Sequence, residues 1–288
     1  MPLDIQMDLM MTSALVSAQW LSENIHRSDV VVLDASFAKM IPGAPQPASA
    51  GFIPTAIRFD YDSVVCDQSS SLPHMLPSPE RFQTLVREMG INTDSTVVVY
   101  DDAGTYGSPR AWWMFRVMGF DNVFVLNGGI KSWINQGYRT QANLTGAASK
   151  GNFQAAYRPS WYANSNDVIH AIDDPETLIL DARSHARFFG LVPEPRAGLR
   201  SGHIPTSKSL PFASLLNGDQ LKPAHELDEI MSRFVTSNHQ QIMFSCGSGV
   251  TASILALAAH ESTNLDLRVY DGSWSEWGLR AELPIELN

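Results

Sequence analysis

Of the two cysteines in this chain, Cys66 and Cys246, only the second stands in a setting that suggests chemistry. The run Ser245-Cys246-Gly247-Ser248-Gly249-Val250-Thr251 follows a strand-like apolar stretch, Gln241 to Ser245. It precedes a helical pattern from Ala252 to His260. A cysteine at the carboxyl end of a strand, before a small-residue loop and a helix, sits where α/β proteins place reacting groups. Such a loop aims backbone N–H groups at one point and adds the positive end of the helix dipole, which makes a cradle for an anion. A cysteine there is expected to be largely thiolate at neutral pH, and so a nucleophile. The competing reading is a buried, inert thiol, the more common fate of a lone cysteine. Gly247 and Gly249 weigh against it, because a core cysteine needs no loop built for close backbone approach. Cys66, in Asp62-Ser-Val-Val-Cys-Asp67, has no such loop and is read as incidental.

The elements that must position Cys246 occur twice. Val30 to Asp34 has a counterpart in Thr177 to Asp181, and Gly51-Phe-Ile-Pro54 matches Gly202-His-Ile-Pro205. Phe82, Leu85, Val86 and Met89 lie on one face of an amphipathic helix, opened by Ser78-Pro79. Leu227, Ile230, Met231 and Phe234 repeat much of that face 145 positions later. Thr96 to Tyr100 pairs with Gln241 to Ser245, again at 145, and Val125-Leu-Asn-Gly-Gly129 pairs with Val269-Tyr-Asp-Gly-Ser273 at 144. Generic alternation of strands and helices does not explain the shared Gly-x-Ile-Pro. The reading is therefore α/β, with two tandem domains, each a mainly parallel sheet with helices on both faces. The boundaries are set at 1–143, a linker at 144–160 and 161–288, the Gly/Ala/Ser/Asn-rich stretch from Gln141 to Ser160 reading as connector. The repeat also aligns Cys246 with Asp101, so the first copy lacks a sulfur nucleophile and reads as a scaffold.

Composition bounds the function. The 288 residues hold 20 Lys+Arg against 30 Asp+Glu, a net charge of -10, which argues against nucleic acid and anionic membranes as partners. Yet Asp181 to His203 contains Arg183, Arg187, Arg196 and Arg200 against Asp181 and Glu194, a local excess of positive charge, so the overall charge says nothing against a small anionic substrate. Two cysteines cannot form a disulfide framework. The N-terminus carries Asp4 and Asp8 where a secretory signal needs positive charge, and the longest apolar run is far too short to span a bilayer. A cytoplasmic protein is expected. No His or Cys spacing suits a metal, and no cofactor is expected. Six positions after Cys246 stands Ala252, so the Arg of a cysteine phosphatase is missing. Neither glycine-rich stretch fits a nucleotide-binding motif.

The double domain, the paired Gly-x-Ile-Pro and the Cys246 loop resemble the tandem rhodanese-type sulfurtransferases over almost the whole chain. Within that family the loop Cys246-Gly-Ser-Gly-Val-Thr251 is similar to that of the 3-mercaptopyruvate sulfurtransferases; thiosulfate sulfurtransferases carry basic residues where this chain has Gly247 and Ser248. A neutral loop removes help for a dianionic sulfonate, whereas a carboxylate several bonds from the sulfur needs its cation outside the loop. The resemblance implies that a persulfide forms on Cys246, within a binding loop that includes Gly247, Gly249, Val250 and Thr251. It implies carboxylate and keto contacts from Arg187 and Arg196, which suit planar anions. The competing reading makes these arginines surface ion-pair partners, perhaps of Glu194. The resemblance further implies a relay from Ser248 to His74 and an aspartate, Asp62 rather than Asp60 by preference, and interface support from Arg110. The expected partners are a small anionic sulfur donor and a thiol acceptor, a thioredoxin-like dithiol among the candidates. Thiosulfate sulfurtransferase and persulfide carrier remain as alternatives.

Overall fold

The computed structural model of the protein describes residues 13–37 and 51–287. The N-terminal run with Asp4 and Asp8, on which the expectation of no signal segment rests, lies outside them. The first half holds strands β1 (Leu15–Val16), β2 (Val30–Asp34), β3 (Ile57–Arg58), β4 (Thr96–Tyr100) and β5 (Val123–Leu126). They form a five-stranded sheet in the order β1-β5-β4-β2-β3, with every pairing parallel. The second half holds β6 (Tyr162–Ala163), β7 (Thr177–Asp181) and β8 (Lys208–Ser209). A small antiparallel hairpin, β9 (Leu216–Asn217) with β10 (Gln220–Leu221), follows, then β11 (Gln241–Ser245) and β12 (Asp266–Tyr270). The larger set repeats the first order as β6-β12-β11-β7-β8, again all parallel. The near-continuous apolar runs of β2, β4, β7 and β11 follow from this, because both faces of each sheet are covered.

Helices α1 (Ala18–Asn24), α2 (Pro79–Glu88), α3 (Ser108–Val117) and α4 (Gly129–Asn135) belong to the first half. The second has α5 (Ser165–Ile172), α6 (His185–Phe188), α7 (Ala224–Met231), α8 (Val250–His260) and α9 (Ser273–Trp277). Helix α2 starts as its sequence predicts: the Ser78 hydroxyl accepts the Arg81 N–H, Pro79 occupies the first turn, and Phe82 and Val86 are buried. Helices α1 and α4 pack one core on the outer face of the first sheet, and α5 with α9 do the same in the second. The inner faces share one continuous core, in which α3 lies against α8. Helix α8 is buried from Val250 to Ala259, so it is apolar all round. It begins two residues before the predicted start, which places Val250 and Thr251 in its first turn.

The connector is more ordered than its composition suggests. Gly151 and Phe153 donate their N–H groups to the Arg87 and Ile91 carbonyls, Ala156 and Arg158 bond to Met118 and Val117, and the Phe153 ring is buried. Residues 151–158 are thus laid along the first domain. The small and polar residues there serve close backbone approach rather than flexibility, a distinction that lack of periodicity does not reveal.

Candidate active site

Strand β11 ends at Ser245 and delivers Cys246 to the floor of a cavity of about 580 Å³ between the two halves. The thiol is buried, with the residue 2% exposed. The loop around it is held from behind by α9. Trp274 and Ser275 donate their N–H groups to the Cys246 and Gly247 carbonyls at 2.9 and 2.8 Å. The Ser273 hydroxyl accepts the N–H of Cys246 at 3.1 Å and of Gly249 at 3.2 Å, and donates to the Tyr270 carbonyl at 2.8 Å. Ser273 has φ +48°, a left-handed conformation that disfavours any residue with a Cβ. Its hydroxyl is what the strained backbone supplies to the loop. The sequence suggests that several N–H groups of the loop cradle an anion; Ser273 takes those of Cys246 and Gly249, so the cradle draws on those that remain.

The glycines have separate reasons. A Cβ on Gly249, whose φ is +76°, would stand 2.8 Å from Arg110 Nη1 and 3.0 Å from the Asp271 carbonyl oxygen. Gly249 therefore faces the domain interface and is not on the cavity wall, unlike the other loop residues assigned to binding. A Cβ on Gly247 would come within 3.3 Å of Arg187 Nη2. Cys246, Gly247, Ser248, Val250 and Thr251 share the cavity with Arg187, Arg196, His74 and Asp62.

The arginines are brought in by α6 and the turn after it. Ser184 caps α6, placing Arg187 over the loop. Arg187 Nη2 and Nε donate to the Glu194 carboxylate at 2.5 and 3.2 Å, so the ion pair considered from sequence does exist. Its carboxylate is buried and its guanidinium half-buried, and the pair lines the cavity. Glu194 also accepts from Arg183 Nη1 at 3.0 Å, and Arg183 is bound by Asp181 at 2.7 Å. Arg196 is placed differently. Its Nη1 donates to the Ser275 hydroxyl, which in turn donates to the Gly247 carbonyl, tying the guanidinium to the cysteine loop. Burial lowers the Arg196 pKa from its ordinary value, with the Cys246 charge opposing.

From the first domain, His74 Nδ1 lies 3.2 Å from Asp62 Oδ1. Asp60 instead accepts the N–H groups of Asp62 and Ser63, so it shapes the turn and Asp62 is the carboxylate beside the histidine. Arg110, fully buried, crosses the interface: Nη2 donates to Asp271 and to the His74 carbonyl, and the guanidinium lies 4.3 Å from the centre of the Trp113 ring. The other Asp271 oxygen accepts the Leu76 N–H at 2.8 Å. The loop bearing His74 is thus bolted to the strand end beside Cys246. His203, read as structural, accordingly lies apart, stacked on Phe188. Ser273, Ser275 and Asp271 escaped the sequence reading. The tandem alignment of Asp-Gly-Ser273 with Asn-Gly-Gly129 is the one available signal for Asp271 and Ser273, and nothing in the sequence points to Ser275. Among the described residues, no cluster of His, Cys, Asp and Glu is placed to hold a metal ion.

Comparison with known proteins agrees with this architecture. A family model described as rhodanese-like domain matches residues 17–136 and again 164–280. The 3-mercaptopyruvate sulfurtransferase of Escherichia coli (strain K12) is 39% identical over 282 residues, covering 96% of this chain and 99% of that protein. The human 3-mercaptopyruvate sulfurtransferase is 34% identical over 277 residues, covering 93% of each. Among solved structures, SseA from Escherichia coli, described as a 3-mercaptopyruvate sulfotransferase with the rhodanese fold, matches with a TM-score of 0.79 at 37% identity. That match covers 92% of this chain and 100% of SseA.

Proposed function

The chain belongs to the rhodanese-like family, and from that premise we propose that it is a 3-mercaptopyruvate sulfurtransferase working through a persulfide on Cys246. One observation carries the reading: Cys246 shares its cavity with Arg187 and Arg196, which lie outside a loop that is itself uncharged. A donor with its carboxylate several bonds from its sulfur fits that separation. Thiosulfate, whose charge adjoins the transferred sulfur, does not. The arginines hold the carboxylate and keto oxygen, so the donor sulfur lies in line with Cys246. The Cys246 thiolate attacks that sulfur; the S–S bond forms as the C–S bond breaks, and the electron pair passes to carbon as pyruvate enolate. The enolate carbon takes a proton to give pyruvate, and Ser248, backed by His74 and Asp62, manages that proton. The N–H groups of Gly247, Ser248, Val250 and Thr251 stabilise first the thiolate and then the persulfide. An acceptor thiolate, or cyanide in an assay, then attacks the outer sulfur and releases the Cys246 thiolate, a ping-pong cycle.

The acceptor is a thiol, with thioredoxin-like dithiols among the candidates, and the setting is a reducing cytoplasm, in keeping with two unbridged cysteines. Among the described residues no helix is long and apolar enough to cross a membrane. The net charge of -10 supports a reading without nucleic acid or anionic membrane as partner. The test is a pair of rates against one common acceptor. Mercaptopyruvate should exceed thiosulfate in kcat/KM by about 10²-fold or more; equal rates, or faster turnover of thiosulfate, would reject mercaptopyruvate as the preferred donor.

A further inference from the structure

The Gly-x-Ile-Pro element occurs in both halves, and its backbone serves the same purpose in each. Phe52 exchanges both N–H···O bonds with Gln141 at 2.9 and 2.8 Å, and His203 does so with Glu286 at 3.0 and 2.9 Å. That pairing ties each element to the chain beyond the last helix of its half, and backbone bonds of this kind need no particular side chain at x. The imidazole of His203 is therefore unexplained by the motif. It is buried, yet it is not on the cavity wall. Its ring stacks on Phe188, with centroids 3.9 Å apart and planes 13° from parallel. Its Nδ1 lies 3.0 Å from the Phe188 carbonyl oxygen. A carbonyl only accepts, so Nδ1 carries the hydrogen of that bond. Nε2 lies 3.6 Å from Glu286 Oε2, too far for a hydrogen bond.

Phe188 is the last residue of α6, and Arg187 precedes it. A helix of four residues has no stability of its own, so what it packs against sets where its side chains point. The carbonyls of His185, Ala186 and Arg187 accept the N–H groups of Phe189, Leu191 and Gly190, all within the same segment. The Phe188 carbonyl is held from outside it, by His203. A closed circuit results. Arg187 bonds Glu194, Glu194 bonds Arg183, Arg183 bonds the Gly202 carbonyl at 2.8 Å, and His203, next to Gly202, returns to the residue beside Arg187.

We infer that His203 is a positioning residue for the donor half-reaction: its imidazole fixes the C-terminal end of α6 and so aims the Arg187 guanidinium into the cavity. The inference rests on the functional reading above, in which Arg187 holds the donor, and it extends the site to a motif residue that touches no substrate. The half without a nucleophile has Phe52 at the same place in the element. The effect belongs to one half of the ping-pong cycle. Arg187 meets the donor, whereas cyanide, attacking the persulfide, has no carboxylate for Arg187 to hold.

The experiment measures the two half-reactions separately. His203→Phe, which installs the residue of the first half, keeps a ring and removes the N–H. The second-order rate of Cys246 persulfide formation from mercaptopyruvate should fall by about tenfold or more, through weaker donor binding. Discharge of the preformed persulfide by cyanide should stay within about twofold. His203→Asn, whose amide places an N–H where Nδ1 stands, should exceed His203→Phe in the donor rate by about threefold or more. Unchanged rates of both halves in His203→Phe, a parallel fall of both, or no advantage of His203→Asn would each overturn the inference. If His203→Phe fails to fold, Phe188→Leu removes the stacked ring and leaves the carbonyl. The same one-sided loss is then expected, and unmoved or equally lowered halves overturn the inference again. Arg187→Lys, run alongside, separates the two claims. A donor rate unmoved in Arg187→Lys would sink the functional reading that places the donor on Arg187, whereas a loss there with none in His203→Phe sinks only the role of His203.

Discussion

Strands β4 and β11 occupy the same central place in their sheets, and the loops that follow them have opposite contents. After β4, the N–H groups of Ala103, Tyr106, Gly107 and Ser108 and the Ser108 hydroxyl all donate to the Asp101 carboxylate, at 2.7–3.0 Å. Asp101 is fully buried; burial pushes its pKa up while these bonds oppose the rise. After β11, the aligned residue is Cys246, and Ser273 takes only two loop N–H groups. The position aligned with Ser273 is Gly129, with φ +55°, where a Cβ would stand 2.2 Å from the Asp101 carbonyl oxygen. Both halves therefore build a nest for an anion. The first fills it with its own side chain and closes; the second leaves it for sulfur.

The interface between them carries the same partial symmetry. Leu76 donates its N–H to Asp271, and Leu221, 145 positions on, donates to the aligned Asn127. The residue aligned with His74 is Asp219, which pairs with Lys131 at 2.8 Å beside the Asp101 loop. One half thus lends a titratable histidine to its neighbour's live loop, and the other lends an ion pair that seals a dead one.

The largest effect should come from exchanging the two loop residues. Cys246→Ser should lower pyruvate release by about 10³-fold or more, and adding Asp101→Cys should restore none of it. The first-half loop lacks the arginines, and Asp219 with Lys131 covers it. Recovered turnover in the double variant would make the halves interchangeable and break the comparison. Next come the two ion pairs that cross the interface among the described residues. Arg110→Met strands Asp271 in the core and should cost about 3–5 kcal/mol in denaturant unfolding. The partly exposed pair predicts less than about 1 kcal/mol for Lys131→Met. Equal losses would deny the asymmetry. A smaller effect is expected of Asp101→Asn, which turns an acceptor into a donor facing other donors. It should lower stability by about 1–3 kcal/mol while leaving kcat/KM for mercaptopyruvate within about twofold. A large activity loss would give the first loop a part in the reaction.

Much of this was legible in the sequence because it is periodic or local. The duplicated strands, the stripe through Phe82 and Val86, the Ser78 cap and the small-residue loop after Ser245 are all patterns within a few residues. Burial and long-range pairing are not. Glu194 read as a surface partner because nothing in Pro-Glu-Pro tells that Arg183 will close over it. The Arg110 to Asp271 bond joins residues 161 apart, and only the packing of α3 on α8 brings them together. Ser273 was visible as a departure from Gly129, yet its meaning depends on a positive φ that the sequence hides. Composition does not tell how the connector lies either: small residues suit close packing on a neighbour as well as a loose linker.

Mass measurement of the intact protein, after brief exposure to mercaptopyruvate without acceptor, tests the central contrast most directly. The account predicts one added sulfur per chain, located on the peptide containing Cys246, with one pyruvate released for each and removal on adding a thiol or cyanide. Sulfur located on Cys66, or stoichiometric pyruvate release with no added mass, would contradict it.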